Sequence, residues 1–414
     1  METSCTSDLM CNWFFKTIIL LTVAACSTRG PDKSSQALPI DPNMPQKIIL
    51  FIPGYYGSML KEKSTGEIRW AKASNFLFSQ VGVSTRIPGT KIGSDNELVT
   101  DGVLRNVLIL PALWDVDSYG KTLTQLDKFA IDQQMRLEIA SYDWRDDFNH
   151  CITAIDKKIK SLKLKPSDEL YVVSHSMGAL LMAYYIRYGT QDVDTAVENW
   201  EGLKHIKKTA LIAPPLHGLM ILFRDIEDGT RVGINRSLLS GLDYSTFKST
   251  YFFLPPKGED IAISESKEKV SLEIHDIDKW EKNLWGPFKF AKASETKAVH
   301  AFVQKYMSRS EKFHALLRAP IKVAPPKKMP MLHMRGLGHE TKEYASLAMK
   351  DGRLSYSFDK EGQVDGDGTV TIRSGVPLEY FKALDFTTID TGLGHLDVLA
   401  LPESQIIIQD FLKK

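Results

Sequence analysis

The fold is decided by residues 171–181, YVVSHSMGALL. A hydrophobic strand, a tight run of small residues and the start of a helix follow one another in this stretch. A serine nucleophile on such a sharp strand-to-helix turn needs small residues two positions before and two positions after it. Ser174 and Gly178 stand at those positions around Ser176. The stretch therefore predicts a nucleophile elbow with Ser176 at its tip, against the alternative that Ser176 is only a helix N-cap.

A serine nucleophile needs a general base, and the base needs an acid that fixes its tautomer. In α/β-hydrolases these residues occur along the chain in the order serine, acid, histidine. The acid candidates Asp365 and Asp367 share the polar loop 362–370, GQVDGDGTV, and the sequence beyond this loop contains a single histidine, His395. The order selects His395 as the base and leaves both aspartates open as the acid. His175 is expected to point away from the nucleophile.

A calcium-binding loop is the alternative interpretation of the DGDG motif. An EF-hand loop that began at Asp365 would need glutamate at its twelfth position, which Val376 occupies. We therefore expect no bound metal ion and no cofactor.

The tetrahedral intermediate of such a reaction needs two backbone N–H donors, one of them from the residue after the nucleophile. Met177 follows Ser176 and supplies the first donor. The loop 52–58, IPGYYGS, supplies the second, because its two glycines allow close backbone approach. Tyr55 is the expected donor in this loop.

Short hydrophobic runs alternate with helical patterns along most of the chain. The runs are typical of strands buried on both faces of a sheet, and they lie at residues 47–52, 136–140, 170–173, 209–213, 331–334 and 386–389. Helical spacing of hydrophobic residues occurs at residues 120–129, 150–162 and 177–188. This alternation predicts an α/β fold with a mostly parallel sheet and helices on both faces.

Residues 217–330 interrupt this alternation. They contain no clear buried strand, carry several aromatic clusters and end in a proline-rich segment. We expect them to form a cap or lid inserted into a core of residues 47–216 and 331–414. A smaller excursion at residues 61–105 is rich in turn-forming residues.

The composition excludes several classes of protein. The 414 residues carry a net charge of +1, with 43% hydrophobic and 25% charged residues, which is globular rather than disordered composition. The 52 lysines and arginines are balanced by 51 acidic residues, so no basic field favours nucleic acid as a partner. Repeated hydrophobic stretches of about twenty residues, as in a polytopic membrane protein, are not found.

The first residues predict a signal peptide of the lipoprotein type, residues 1–25. Residues 17–25, TIILLTVAA, form its hydrophobic segment. Residues 23–26, VAAC, resemble a bacterial lipobox, in which the cysteine, here Cys26, is lipidated and becomes the mature N-terminus.

Either Met1 or Met10 starts this signal peptide. Residues 26–46, rich in proline and serine, are typical of a flexible tether. Ser27 after the lipidated cysteine favours the outer membrane of a Gram-negative bacterium. We therefore expect a lipid-anchored protein of the cell envelope, or a secreted protein if the cysteine is coincidental.

Six short segments, in this order, resemble the lecithin:cholesterol acyltransferase family, which includes lysosomal phospholipase A and phospholipid:diacylglycerol acyltransferase. They are IPGYYGSML at 52–60, YDWR at 142–145, SHSMGA at 174–179, APPLHG at 213–218, GDGTV at 366–370 and GH at 394–395. The elbow departs from the family's GHSMGG pattern at Ser174 and Ala179.

This resemblance implies an α/β-hydrolase core, a lid after the elbow, and acyl transfer from a lipid ester. It selects Asp367 over Asp365 as the acid and so completes a triad with Ser176 and His395. It also implies that residues 142–145 are mainly structural.

The resemblance gives the two excursions candidate roles. The cap aromatics could line an acyl-binding groove or dip into the membrane interface, or they could form the cap's own small core. Residues 61–105 are a candidate membrane-interacting excursion. Family members outside the cytosol usually carry disulfides, whereas Cys151 is this chain's single cysteine beyond the predicted anchor.

The sequence thus predicts a serine-dependent lipid acyl-ester hydrolase or O-acyltransferase that works through an acyl-serine intermediate. Its reaction would be that of a phospholipase A or a transfer from phospholipid to an alcohol, at a membrane surface reached through Cys26. The alternatives are a hydrolase of small esters or thioesters with the same fold, and a catalytically silent envelope lipoprotein.

Overall fold

The computed structural model describes residues 44–71, 82–110, 114–232, 235–259, 261–358 and 362–414. The predicted signal peptide, Cys26 and nearly all of the tether lie outside these residues, as does part of the 61–105 excursion. Within the described ranges, no helix is long and apolar enough to cross a membrane.

A six-stranded sheet forms the centre of the molecule. Its strands, numbered in chain order, are β1 (Lys47–Ile52), β2 (Arg136–Ile139), β3 (Glu169–His175), β4 (Ile206–Ile212), β5 (Pro330–Gly336) and β6 (Asp385–Thr391). They lie in the order β2-β1-β3-β4-β5-β6, and every neighbouring pair is parallel. Each of these strands contains or overlaps one predicted hydrophobic run, and the predicted α/β-hydrolase fold is confirmed.

The strand order reverses at β1. The chain passes from β1 to β2 on one side and then returns to β3 on the other. In open parallel sheets, ligands bind outside the carboxyl ends of the strands at such a switch point. The loops that follow β1 and β3 are therefore the expected place for a site.

The sheet and the cap are accompanied by α-helices. Those of the described residues are α1 (Gly120–Asp132), α2 (Phe148–Ser161), α3 (Met177–Tyr188), α4 (Ile221–Asp228), α5 (Gly241–Thr246), α6 (Lys248–Phe252), α7 (Ile277–Asn283), α8 (Thr296–Arg318), α9 (Asp397–Ala400) and α10 (Pro402–Lys413). Short 3-10 helices lie at Glu201–Lys204, Gly286–Lys289 and Glu379–Ala383.

Alternate residues of β1 face opposite sides of the sheet, and both sides are covered by helices. Ile49 belongs to a hydrophobic core shared with Leu123 of α1. Leu50 belongs to a second core shared with Ile152 of α2 and Leu180 of α3. A strand buried on both faces needs a continuous hydrophobic run rather than an alternating one, which explains the continuous hydrophobic sequence of β1.

Residues 217–330 contribute α4 to α8 and, apart from Pro330 at the start of β5, no part of the central sheet. Their short strands pair in a hairpin and in a separate four-stranded sheet. The hairpin consists of Thr230–Val232 and Asn235–Leu239. The sheet consists, in spatial order, of Lys269–Ser271, Ile261–Ile263, Ala345–Lys350 and Arg353–Ser357. The cap sheet therefore takes strands from both sides of residue 330.

Small antiparallel sheets lie along the remaining loops. One contains Ser58–Glu62, Ile68–Trp70 and Leu98–Val103, within and beside the 61–105 excursion. The other two pair Asn106–Leu110 with Trp114–Asp117, and His339–Lys342 with Gln363–Gly366.

The cap aromatics pack against one another and against the hydrolase core, within one hydrophobic cluster. Among those singled out from the sequence, the buried ones are Tyr251, Phe252, Phe253, Trp280, Trp285 and Phe288. Trp280 packs edge-on against Phe223 with ring centroids 5.5 Å apart, and its indole N–H donates to the carbonyl of Ile274. Phe252 stacks on Phe148 of α2 with ring centroids 4.6 Å apart, and Phe253 lies edge-on to Tyr55 at 5.1 Å, so the cap aromatics do not form a separate core.

Arg309 of α8 ties the cap to the core. Its guanidinium contacts Asp147 at 2.7 Å and both Asp192 and Asp194 at 2.9 Å. Asp147 caps the start of α2, where its side chain accepts the N–H of Asn149. Charge-assisted bonds of this kind are stronger than neutral ones, so the cap is anchored at a fixed point.

His333 in β5 is expected to weaken the fold in acid. Its side chain is fully buried beside Phe381 and Phe386, and burial lowers its pKa to about 3. The unfolded chain binds the same proton near pH ~6.5. Because the unfolded state then holds one proton more, the free energy of unfolding falls by about 1.4 kcal/mol per pH unit as the pH drops from ~6.5 towards 3.

The variant His333→Leu removes this proton uptake. Between pH ~7 and pH ~4.5 we expect its free energy of unfolding to gain roughly 2–3 kcal/mol relative to the original chain. Urea unfolding at both pH values measures the difference, with the exposed His205 replaced by leucine as the control. Equal pH dependence of the original chain and His333→Leu would contradict the assignment.

Candidate active site

Ser176 lies at the tip of the turn between β3 and α3. Its φ of 51° and ψ of −120° fall where residues other than glycine are strained, as the elbow of a nucleophilic serine requires. Its backbone N–H donates to the Ile212 carbonyl of β4 at 2.8 Å. Ser174 is accommodated two positions earlier because its buried hydroxyl donates to the Ala210 carbonyl at 3.1 Å.

Gly178 allows the elbow to pack against the end of β1. A Cβ at this position would lie 2.5 Å from the carbonyl oxygen of Pro53 and 2.8 Å from that of Ile52. Such contacts with backbone atoms would push the first turn of α3 away from the loop after β1. The absence of a side chain at Gly178 therefore lets the elbow after β3 pack against the loop after β1, as the small residue predicted for this position would allow.

The structure brings Ser176, His395 and Asp367 into one hydrogen-bonded chain. Ser176 Oγ lies 3.0 Å from His395 Nε2, and His395 Nδ1 lies 2.8 Å from Asp367 Oδ2. These separations let the serine hydroxyl donate to Nε2 while Nδ1–H donates to the carboxylate. Ser176 follows β3 and His395 follows β6, so parallel strands deliver both to the same edge of the sheet.

Asp367, and not Asp365, faces His395. Oδ1 of Asp367 accepts the backbone N–H groups two and three positions further on, at 2.9 and 2.6 Å, and its carbonyl accepts the N–H of His395. Burial alone would raise the pKa of Asp367, but the charge and hydrogen bond of His395, with these two N–H groups, lower it below its ordinary value. Asp365 is exposed and accepts the N–H of Gly338. No three His, Cys, Asp or Glu side chains of the described ranges are grouped to hold a metal ion.

The two predicted oxyanion donors, Tyr55 and Met177, directly follow Gly54 and Ser176 in the loops after β1 and β3. Within the part of the chain that the structure describes, the N–H groups of Tyr55 and Met177 donate to no acceptor. Met177 is fully buried, and a buried N–H without a partner is rare in folded proteins. Both groups are therefore available to an oxyanion that forms at Ser176.

The YDWR motif holds the loop that carries Tyr55. The Tyr142 hydroxyl donates to the Pro53 carbonyl at 2.7 Å, and the indole N–H of Trp144 donates to the Ser58 carbonyl at 3.0 Å. Both aromatic side chains are fully buried. The guanidinium of Arg145 pairs with the motif's own aspartate. These contacts are structural, as the resemblance implies for this segment.

His175 contacts His395, as well as Tyr119. Its ring centroid lies 4.8 Å from that of His395, and its Nε2 lies 2.9 Å from the His395 carbonyl oxygen. On the other side, its Nδ1 lies 2.9 Å from the Tyr119 hydroxyl. Tyr119 was missed by sequence reasoning because it belongs to no motif and lies 56 positions from His175 along the chain.

Known proteins resemble this chain in sequence and in fold. The lysosomal phospholipase A and acyltransferase of Bos taurus is 25% identical over 193 residues, 45% of each chain. An uncharacterised protein of Saccharomyces cerevisiae, YJR098C, is 21% identical over 242 residues, which are 57% of this chain and 32% of the yeast protein. The chain thus spans less than half the length of either relative.

Among solved structures, a chain of the Tle4–Tli4 complex superposes with a TM-score of 0.51 at 10% identity, covering 89% of this chain and 99% of that one. At this identity the likeness concerns the fold alone. The sequence profile described as lecithin:cholesterol acyltransferase matches residues 57–351. The match includes the elbow at Ser176 and ends before Asp367 and His395. Since it covers more than half of the sequence, the chain belongs to the lecithin:cholesterol acyltransferase family.

Proposed function

We propose that this protein is a serine-dependent lipid acyl-ester hydrolase or O-acyltransferase. The observation that carries the proposal is the hydrogen-bonded chain from Ser176 through His395 to Asp367. Family membership supports a lipid ester as the substrate. The lipidated Cys26 predicted from the sequence would hold the protein at a bilayer, where phospholipid is the abundant ester.

In the first half-reaction, Ser176 Oγ attacks the ester carbonyl carbon while His395 Nε2 accepts the serine proton. Asp367 stabilises the imidazolium through its bond to Nδ1. The N–H groups of Tyr55 and Met177 donate to the oxyanion of the tetrahedral intermediate. His395 then gives the proton to the departing oxygen, which leaves as an alcohol such as a lysophospholipid, and the acyl group stays on Ser176.

In the second half-reaction, water or an alcohol replaces the departed group. His395 accepts a proton from the incoming hydroxyl, whose oxygen attacks the acyl carbonyl, and the proton then returns to Ser176 Oγ. Water yields a free fatty acid, and an alcohol yields a new ester. Hydrolysis and transfer therefore use the same residues and differ in the molecule that reaches the acyl-enzyme.

Product analysis tests this proposal. The full-length protein is incubated with phosphatidylcholine vesicles labelled in the acyl chains, with and without a long-chain alcohol, and Ser176→Ala is the control. We expect labelled fatty acid and lysophospholipid without the alcohol, and the labelled ester of the alcohol when it is present. The rate should exceed that of the control by at least about 10⁴-fold.

Other outcomes of the same experiment would favour the alternative functions. Cleavage of short-chain esters or thioesters without cleavage of vesicle lipid would assign the site to small substrates. A folded protein that cleaves none of these and does not react with a fluorophosphonate probe would be the silent lipoprotein. Either result would overturn lipid acyl transfer as the function.

A further inference from the structure

A continuous hydrogen-bonded chain runs behind the triad from the oxyanion loop to the base. The N–H of Gly54 lies 2.8 Å from the Tyr119 hydroxyl oxygen, and that oxygen lies 2.9 Å from His175 Nδ1. On the far side of the ring, His175 Nε2 lies 2.9 Å from the carbonyl oxygen of His395. This hydrogen-bonded chain thus connects Gly54, which precedes Tyr55, with His395, the proposed base.

The direction of each bond follows from the groups at the two ends. The Gly54 N–H can only donate, and the His395 carbonyl can only accept. The Tyr119 oxygen therefore accepts from Gly54, and its own proton goes to His175 Nδ1. His175 must then carry its single proton on Nε2, where it donates to His395.

Burial keeps both intermediate groups in these protonation states. The side chains of Tyr119 and His175 are only 3% and 1% exposed. Burial, with the neighbouring charge of His395, lowers the pKa of His175 to about 3, so its ring is neutral at neutral pH. Burial likewise raises the pKa of Tyr119 above its usual range, so the hydroxyl keeps its proton.

Gly54 lies close against Tyr119, His175 and Ser176, so a larger residue there would disturb this hydrogen-bonded chain. A Cβ at Gly54 would lie 3.1 Å from the Tyr119 oxygen, 3.2 Å from His175 Nδ1 and 2.9 Å from Ser176 Cβ. Tyr119 itself is fixed at the start of α1, where its N–H donates to the Arg105 carbonyl at 3.0 Å. Through Tyr119, the start of α1 is thus bonded to Gly54 in the loop after β1 and to His175 at the end of β3.

We propose that Tyr119 is a positioning residue that locks His175 in its Nε2–H tautomer and thereby fixes His395 relative to the oxyanion loop. This inference rests on the proposed function. Without the Tyr119 proton, only the bond to the His395 carbonyl still favours Nε2–H, so the share of the Nδ1–H tautomer of His175 rises. Its Nε2 lone pair would then face the His395 carbonyl oxygen, and the repulsion would displace the loop that carries the base.

Kinetics of Tyr119→Phe test the proposal. We expect kcat on a lipid ester to fall roughly 10- to 100-fold with KM nearly unchanged, because misplacement of the base affects the transition state and not ground-state binding. The matched control is Tyr184→Phe, since Tyr184 is also buried and its hydroxyl also forms a hydrogen bond, donating to the Gln191 carbonyl at 2.8 Å. This control should lower thermal stability to a similar degree and leave kcat within about twofold.

A double-mutant cycle tests whether Tyr119 acts through His175 or whether the two residues affect kcat independently. His175→Leu removes both bonds of the ring, so adding Tyr119→Phe to it should cost no more than about twofold in kcat. His175→Gln, whose amide can donate to His395 and accept from Tyr119, should restore part of the loss. Additive losses, or a Tyr119→Phe variant with unchanged kcat, would overturn the proposal.

The tautomer is observable without any reaction. In NMR spectra of isotope-labelled histidine in the full-length protein, we expect His175 to be Nε2–H in the original chain and to gain Nδ1–H character in Tyr119→Phe. If the protein cleaves no ester, this spectrum still tests the lock, so failure of the proposed function and failure of this inference are distinguishable. An unchanged His175 tautomer in Tyr119→Phe would overturn the inference.

Discussion

Replacing Ser176 with alanine is expected to lower kcat on a lipid ester by at least about 10⁴-fold. The acyl-enzyme route disappears with the hydroxyl, and the backbone donors of Tyr55 and Met177 can stabilise only a slow direct attack by water. Initial rates of fatty acid release from phospholipid vesicles, measured at equal concentrations of both proteins, give the ratio. The Ser176 hydroxyl contacts His395 and does not cap α3, so its removal should affect the fold little.

A second buried serine provides the control for this change. Ser245 in α5 of the cap is fully buried, and its hydroxyl donates to the Gly241 carbonyl and contacts no triad residue. Ser245→Ala should keep kcat within about threefold, because its hydroxyl bonds within α5 and away from the triad. Retention of more than a tenth of the original rate by Ser176→Ala would show that the serine is not the nucleophile.

Replacing Asp367 with asparagine is expected to lower kcat by about 10³- to 10⁴-fold with little change in KM. The asparagine amide can donate to His395 Nδ1, which would leave the histidine proton on Nε2, facing Ser176. The histidine could then no longer accept the serine proton. The amide oxygen can still accept the two backbone N–H groups that now bind Oδ1, so the loop should keep its shape.

The neighbouring aspartate is the matched control. Asp365 is two positions away in the same loop, is exposed and accepts the N–H of Gly338 at 2.6 Å. Asp365→Asn should keep kcat within about threefold, because surface polar contacts contribute little. A greater loss in Asp365→Asn than in Asp367→Asn would mean that the acid has been assigned to the wrong residue.

The sheet and the nucleophile elbow were predictable because their signals are local. Strands buried on both faces must be continuously hydrophobic, and a nucleophile elbow must pack small residues around one serine, so residues 171–181 reveal both at once. His395 follows from chain order alone, because it is the single histidine after the aspartate loop. The choice of Asp367 over Asp365 came from the family resemblance.

The rest depends on contacts between distant parts of the chain. The strand Ile261–Ile263 pairs with Ala345–Lys350, and both are too short or too exposed to show a buried pattern. Tyr119 reaches Gly54 and His175 only through the fold, and no spacing rule connects the three. Hydrophobic patterns report burial, but they do not report which polar partner a buried hydroxyl will find.

The acyl-enzyme itself tests the account most directly. The full-length protein is mixed with phospholipid labelled in its acyl chains and quenched in acid at times shorter than one turnover, and its peptides are then analysed by mass spectrometry. We predict an added acyl group on the peptide that contains Ser176, absent from Ser176→Ala and lost again as products accumulate. Product formation without acylation of Ser176 at any time, or with the acyl group on another residue, would contradict the account.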